Sequence, residues 1–192
     1  GPAGTSSGNL DGTDWHNGSP ITSLPSGNYK LRISRGGDTT GAYQFRLSNI
    51  TTVTSFTPGT PITGTLNPVT ESDLYKFTGV AGQQYYVDAS SITGDIPSAV
   101  WRLVDPYGNV VAGNSLNGYD ADNVVLPVSG TYTLLIEGHP YEVGTSGGYT
   151  INLVPISPTT TALTLGSLTS GNLTTPGDSD LYTFTLASKT QL

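Results

Sequence analysis

The chain has 192 residues, of which 35% are apolar and only 11% are charged, and its formal net charge is −7. The acidic balance argues against nucleic-acid binding, because the seven Lys and Arg residues are spread along the chain rather than clustered. Cysteine is absent, which excludes disulfides, thiolate metal sites and cysteine nucleophiles. No apolar run approaches the roughly 18 residues that span a bilayer. Low charge with abundant Thr, Ser and Gly is typical of secreted bacterial surface proteins.

The first part of the chain predicts a loop followed by two strands. Residues 1–19 are rich in Gly, Ser and Asp and predict a loop. Strict alternation then predicts strands over 26–33 and 41–47. Their apolar rows, which we expect to face a core, are Tyr29, Leu31 and Ile33 in the first strand and Tyr43, Phe45 and Leu47 in the second.

The rest of the chain continues as short strands separated by turns. A Thr/Pro-rich connector over 51–61 leads to strands predicted over 74–78, 84–89, 99–104, 109–112, 124–128, 129–136 and 148–153. A second connector over 155–161 leads to extended segments over 163–173 and 180–186. No segment has the apolar spacing and caps of a helix. Short strands with turn signals every 8–12 residues indicate a β-sandwich.

The chain also repeats itself. The acidic turn and strand over 71–78 return at 178–185, where Asp180 lies 107 positions after Asp73 (180 − 73). A Gly-x-Leu precedes each copy, beginning at Gly64 and at Gly171, with the same offset. Residues 129–136 repeat residues 26–33 at an offset of 103, and Tyr149 repeats Tyr43 at 106. Such self-similarity predicts repeated modules.

The repeats divide the chain into a half, a whole and a half. We name residues 1–49 the back half, the C-terminal half of one module. Residues 50–157 are the central module, which is complete. Residues 158–192 are the front half, the N-terminal half of a further module. Each half alone has an apolar row and an open strand edge, so we expect the front half to pack against the back half, within one chain or between chains.

Five motifs of the central module resemble, in order, those of the bacterial pre-peptidase C-terminal (PPC) domain family. They are Gly64-x-Leu with its acidic turn and Tyr-x-Phe strand, Val80-Ala-Gly-Gln, Asp105-Pro-x-Gly, Ser129-Gly-Thr-Tyr, and Gly148-Tyr-x-Ile-x-Leu. The resemblance extends over the central module and both halves. It implies all-β, jelly-roll-like antiparallel β-sandwich modules in tandem. It also implies company with secreted peptidases or surface proteins, and some members bind calcium or matrix polymers.

The sequence predicts no catalytic residue. Gly-x-Ser-x-Gly occurs at 4–8 and at 144–148, but a nucleophile elbow needs a following helix, and neither copy predicts one. His16 and His139 both lie in turn-like sequence at non-equivalent places in their modules. A base needs a partner that orients it, so we interpret both as surface residues and predict that the chain is not an enzyme.

Paired carboxylates are the candidate metal ligands. Glu71 with Asp73, and Asp120 with Asp122, lie in polar turns that could supply oxygens to calcium. The alternative is that these side chains bond their own backbone, with Asp73 as a structural cap. Calcium is the one cofactor that the sequence leaves open.

Aromatic residues outside the predicted core rows are the candidates for sugar stacking. They are Trp15, Tyr86, Tyr107, Tyr119 and Tyr141, and nothing in the sequence brings them together.

The sequence therefore favours a non-enzymatic structural or adhesive module of a secreted or cell-surface bacterial protein. Its half-modules would complement one another head to tail, so the expected partner is the chain itself, in a filament, or a neighbouring repeat. The alternative is an accessory domain of a secreted hydrolase that binds carbohydrate or a matrix protein. Neither alternative involves nucleic acid or membrane insertion.

Overall fold

The structure is a computed structural model of the chain, and it describes residues 24–33, 38, 40–42, 47–139 and 142–191. Within these residues the regular structure consists of strands and one 3-10 turn at Ile50–Thr52, and no helix is long and apolar enough to span a membrane. The strands are β1 Thr54–Ser55, β2 Ile62–Leu66, β3 Ser72–Gly79, β4 Gln84–Gly94, β5 Val100–Val104, β6 Val110–Ser115, β7 Ala121–Val125, β8 Gly130–Glu137, β9 Gly147–Ile156, β10 Thr159–Ala162 and β11 Asp180–Thr183.

The strands from β1 to β9 form two sheets. One sheet has the order β1-β3-β8-β5-β6 and the other β2-β9-β4-β7. All pairs are antiparallel except β1 with β3. Consecutive strands alternate between the sheets at the start of the module, as in a jelly roll. The predicted all-β sandwich class is confirmed.

A continuous apolar core lies between the two sheets. Strand alternation delivers Phe77, Trp101 and Tyr132 from one sheet and Tyr85 and Tyr149 from the other, all of them buried. Phe77 stacks on Tyr132 with ring centroids 5.6 Å apart and meets Tyr85 edge to face at 5.7 Å. The alternation in the sequence predicts inward positions for Phe77, Trp101, Tyr132 and Tyr149, and the structure confirms them.

Strands β5 and β8 at the middle of the five-stranded sheet are buried on both faces. The outward row of this pair contains Arg102 and Glu137, whose side chains form a two-pronged ion pair. Arg102 Nε and Nη2 each donate to a different carboxylate oxygen of Glu137 at 2.6 Å. A buried charge needs a partner of opposite sign, so the ion pair allows Arg102 and Glu137 to be buried.

The connectors are strands as well as links, which corrects the sequence prediction. Residues 54–55 of the first connector form β1, and residues 159–161 of the second belong to β10. Their threonines are β-branched and favour extended backbone, and β3 and β11 each present an edge to pair with. In contrast, residues 163–173 form no strand, and β11 ends at Thr183 rather than continuing to Leu186.

The back half differs most from its prediction. Residues 24–33 carry no strand, and Tyr29, Leu31 and Ile33 are exposed rather than inward. An alternating segment without a partner strand does not form a stable strand in water, which is the physical reason for the difference. Leu47 is exposed too, while Tyr43 and Phe45 lie outside the described residues. The division of the chain at 49 and 157 stays a prediction.

Candidate association site

Strands β10 and β11 reproduce the pairing of β1 and β3. Thr54 pairs with Tyr75 in the central module, and Thr161 pairs with Tyr182 in the front half, both in parallel. Each residue of the second pair lies 107 positions after its counterpart (161 − 54 and 182 − 75). The repeat seen in the sequence is therefore also a repeat of strand register.

The hydrogen bonds that follow each pair repeat at the same offset. Phe56 N donates to Lys76 O at 2.9 Å, and Leu163 N donates to Thr183 O at 2.8 Å. Both bonds continue the parallel ladder by one residue. The local backbone of the front half is consequently that of a module start.

The acidic turn before each strand repeats in its chemistry. Glu71 Oε2 accepts from Asn67 N at 3.0 Å, and Asp178 Oδ2 accepts from Thr174 N at 2.7 Å. Asp178 also accepts from the hydroxyl and backbone N–H of Thr175, and these bonds lower the pKa of its carboxyl to about 2. The first carboxylate of the turn is thus a cap in both copies.

The two strands differ in what covers them. β3 lies between β1 and β8, and Phe77 is only 4% exposed. In the described part of the chain β11 pairs with β10 alone, and Phe184, the counterpart of Phe77, is 47% exposed. Leu181, Tyr182 and Leu186 are exposed alongside it. The front half therefore presents an apolar row beside an open strand edge.

The back half carries a sequence that matches this edge. Strand β8 pairs with β3 through Tyr132 opposite Phe77, Leu134 opposite Tyr75 and Ile136 opposite Asp73. At the offset of 103, the residues equivalent to Tyr132, Leu134 and Ile136 are Tyr29, Leu31 and Ile33. All three are buried in β8 and exposed in the back half, where Leu31 is 58% exposed. The chain thus contains an exposed apolar segment whose sequence matches that of the strand covering β3.

A tyrosine cluster joins the two sheets at the base of β3. The Tyr149 hydroxyl donates to Asp73 Oδ2 at 2.6 Å and lies 2.7 Å from the Tyr75 hydroxyl. Since the single proton of Tyr149 is given to Asp73, Tyr75 donates to Tyr149. Burial, followed by the hydrogen bonds to Asp73 and Tyr75, raises the pKa of Tyr149. The Tyr149 ring covers Gly64 so closely that a Cβ there would lie 2.2 Å from the hydroxyl oxygen.

The predicted calcium ligands occupy two separate places. Glu71 and Asp73 lie at the start of β3, and Asp120 and Asp122 lie at the start of β7, in the other sheet. Asp120 accepts from the Tyr86 hydroxyl at 2.5 Å and from Ala89 N at 2.9 Å, and the first of these bonds raises the pKa of Tyr86 to about 12. Within the described residues no group of three or more metal-ligating side chains is arranged to hold an ion. A calcium site stays a prediction.

The three aromatic candidates that the structure describes are not gathered into a platform. Tyr107 and Tyr119 are both exposed but lie in the turns at opposite ends of β6. Tyr86 lies on β4, and its hydroxyl donates a hydrogen bond to Asp120. Trp15 and Tyr141 lie outside the described residues.

The structure describes one of the two Gly-x-Ser-x-Gly motifs and one of the two histidines. The second Gly-x-Ser-x-Gly runs into strand β9 and not into a helix, as predicted, and His139 lies just after β8. The first copy and His16 lie outside the described residues.

Sequence reasoning missed the parallel strands β1 and β10. A signal was present, because Thr52, Thr54 and the threonines 107 positions later, Thr159 and Thr161, keep the same alternation. Reading the offset through the connectors would have found both strands.

Comparison with known proteins gives likenesses of fold. No protein-family model and no curated protein matches the chain. Among solved structures, the pre-peptidase C-terminal domain of the Bacillus anthracis collagenase is 20% identical, with 53% of this chain and 93% of that domain covered and a TM-score of 0.42. The PliG periplasmic inhibitors of g-type lysozyme from Aeromonas hydrophila and Salmonella Typhimurium are 17% and 19% identical, with TM-scores of 0.37. They cover 53% and 52% of this chain and 96% of their own.

At this identity these structures say nothing about ligand or activity. The β-sandwich itself rests on the sheet topology described above. The tandem arrangement of modules is not addressed by any of these comparisons.

Proposed function

We propose that the chain is a non-catalytic structural module of a secreted or periplasmic bacterial protein, and that it assembles head to tail. In the proposed assembly the front half of one copy takes the back half of the next copy, and together they form a second sandwich that lacks only the equivalents of residues 86–103. The observation that carries this proposal is the exposed apolar row of Tyr182, Phe184 and Leu186. It begins in β11, which has the register of a module start but lacks the strand that covers β3.

The occupant we commit to is residues 26–33 of a second copy. This segment has the alternation of β8, and its own apolar row is exposed in the structure. On the register of the central module, Tyr29 would face Phe184, Leu31 would face Tyr182 and Ile33 would face Asp180. Exposed apolar rows and unpaired strand edges are what natural β-proteins avoid, so the pairing removes two liabilities together.

The contact is heterologous, because the two surfaces are different parts of the chain. A heterologous contact generates a ring if the rotation closes and an open filament if it does not. We favour pairing between copies, since the back and front halves of one chain are separated by the whole central module. An extracellular spacer, adhesin segment or filament subunit is the class of function that such an assembly serves.

Light scattering coupled to gel filtration, over a concentration series, tests the assembly. We expect the average mass to rise with concentration. Leu31→Asp in the back half and Phe184→Asp in the front half should each reduce the chain to a monomer, because a charge would be buried in the contact. Leu168→Asp is the matched control, since Leu168 is fully exposed in the front half but does not belong to the apolar row of Tyr182, Phe184 and Leu186.

Mixing the two variants sharpens the test. The Leu31→Asp chain keeps its front half and the Phe184→Asp chain keeps its back half, so an equimolar mixture should form heterodimers and nothing larger. A parent chain that stays monomeric at every concentration would overturn the proposal. So would a Leu31→Asp chain that still associates with itself, since front halves would then pair with each other.

A further inference from the structure

The front half contains counterparts of three of the four residues that form the tyrosine cluster of the central module. Gly64, Asp73 and Tyr75 recur at the offset of 107 as Gly171, Asp180 and Tyr182. The fourth member, Tyr149, comes from β9, which belongs to the closing part of the module. Its counterpart in the back half is Tyr43, at the offset of 106.

The three recurring residues lie together in the structure. A Cβ on Gly171 would be 2.6 Å from Asp180 Oδ2 and 2.7 Å from the Tyr182 hydroxyl. In the central module the same test on Gly64 meets the Tyr149 hydroxyl and ring. The Asp180 carboxylate and the Tyr182 hydroxyl therefore fill the space over Gly171 that the Tyr149 ring fills over Gly64, and they would have to turn aside to admit another ring.

We infer that Gly171, Asp180 and Tyr182 form a socket for the side chain of Tyr43 from a second copy of the chain. The inference rests on the proposed head-to-tail assembly and names the polar contact that fixes its register. In the central module Tyr149 donates to Asp73 and contacts the Tyr75 hydroxyl. By analogy, the Tyr43 hydroxyl would donate to Asp180, the Tyr182 hydroxyl would donate to Tyr43, and the Tyr43 ring would cover Gly171. Tyr43 itself lies outside the described residues.

The chemistry of the socket would select this one register. A slip of one residue in a strand turns its side chains to the opposite face, which would remove the tyrosine from the socket and leave Asp180 without its donor. The apolar row alone selects a register less strictly, because exchanging one aliphatic side chain for another of similar size costs little free energy. The socket therefore supplies specificity to a contact whose affinity comes from the apolar row.

The test uses the heterodimer formed by the Leu31→Asp and Phe184→Asp chains, which contains a single contact. Asp180→Asn is placed in the chain that keeps its front half, and Tyr43→Phe in the chain that keeps its back half. Each change should raise the dissociation constant about 10-fold, as expected when one partner of a buried charge-assisted hydrogen bond is lost. Tyr107→Phe in either chain removes an exposed turn hydroxyl and is the control.

The double variant decides whether the two residues meet. If Tyr43 and Asp180 share one hydrogen bond, the two changes together should cost much less than the roughly 100-fold that independent effects would give. Purely additive effects, or no effect of either change, would overturn the socket while leaving the assembly intact. A pair of chains that forms no heterodimer before these changes are made would overturn the assembly instead.

Discussion

The start of the central module and the front half are two copies of one local structure with opposite burial. Both have a parallel strand pair in the same register, the same continuing hydrogen bond and a carboxylate cap in the same turn. Phe77 is buried in the first copy, and Phe184 is nearly half exposed in the second. Local sequence is thus sufficient for pairing and turn geometry, whereas burial needs the strands that follow.

The back half makes the same comparison from the other side. Residues 129–136 and 26–33 share their alternating pattern, yet only the copy that has β3 and β5 as neighbours is a strand. Tyr132 is fully buried, and Tyr29 is 45% exposed. Strand formation here depends on partners far away in the chain, in agreement with the marginal stability of unpartnered β-segments.

The largest expected effect is the difference in the free energy of unfolding between substitutions at Phe77 and at Phe184. Phe77→Ala should lower the free energy of unfolding of the central module by about 3–5 kcal/mol, because it empties a buried aromatic site. Phe184→Ala should change the same free energy by less than about 0.5 kcal/mol in dilute monomer, as for most surface changes. Denaturant titration followed by tryptophan fluorescence measures both, since Trp101 is in the core. Equal losses for the two variants would mean that the front half is already packed in the monomer.

The second effect concerns the glycine under Tyr149. Gly64→Ala places a methyl group 2.2 Å from the Tyr149 hydroxyl, so ring and strand must separate. We expect a loss of about 1–3 kcal/mol, the usual cost of overpacking. Gly41→Ala is the control, because a Cβ at Gly41 meets nothing within 4 Å. A Gly64→Ala variant as stable as the parent would show that the tyrosine cluster is dispensable.

Much of this fold could be predicted from the sequence because side-chain alternation reports burial directly. The rows containing Phe77, Tyr132 and Tyr149 were predicted to face inward and do so. The Asp-Pro-x-Gly motif has Pro at its second position and Gly at its fourth, which is typical of a type I turn, and Asp105 accepts from Tyr107 N and Asn109 N. Local patterns were reliable wherever the partner strands are present in the chain.

The remainder could not be predicted, because it depends on contacts between distant segments. Nothing in the pattern at 26–33 says whether a partner covers it, so the inward assignment of Tyr29 failed. Likewise, the two members of the Arg102–Glu137 ion pair lie 35 positions apart, and only the pairing of β5 with β8 brings them together. The repeat offset is visible in the sequence, but the role of the socket residues follows only from the contact between Tyr149 and Gly64 in the structure.

A third, smaller effect is a dependence on alkaline pH. The pKa of Tyr149 is raised in the folded state, so its contribution is complete below pH 10 and is lost as the pH rises above 10. This group alone should lower the free energy of unfolding by up to about 1.4 kcal/mol per pH unit in that range. Tyr149→Phe should cost about 1 kcal/mol at pH 7 and make the alkaline decline shallower. Urea titrations between pH 7 and pH 11 measure both quantities, with Tyr107→Phe as the control for hydroxyl loss. An unchanged decline in Tyr149→Phe would contradict the assignment.

The smallest expected effect is that of calcium, and it uses the repeat as its own control. A site built on Glu71 and Asp73 would recur at Asp178 and Asp180, so both the central module and the front half would respond. Glu71, Asp73 and Asp178 already accept hydrogen bonds from their own chain, and Asp120 lies in the other sheet. We therefore expect thermal scans with calcium and with chelator to superimpose, whereas a site saturated at 100 times its dissociation constant would add about 2.7 kcal/mol. A rise in melting temperature that magnesium does not reproduce, and that Asp73→Asn abolishes, would contradict this expectation and place calcium at the start of β3.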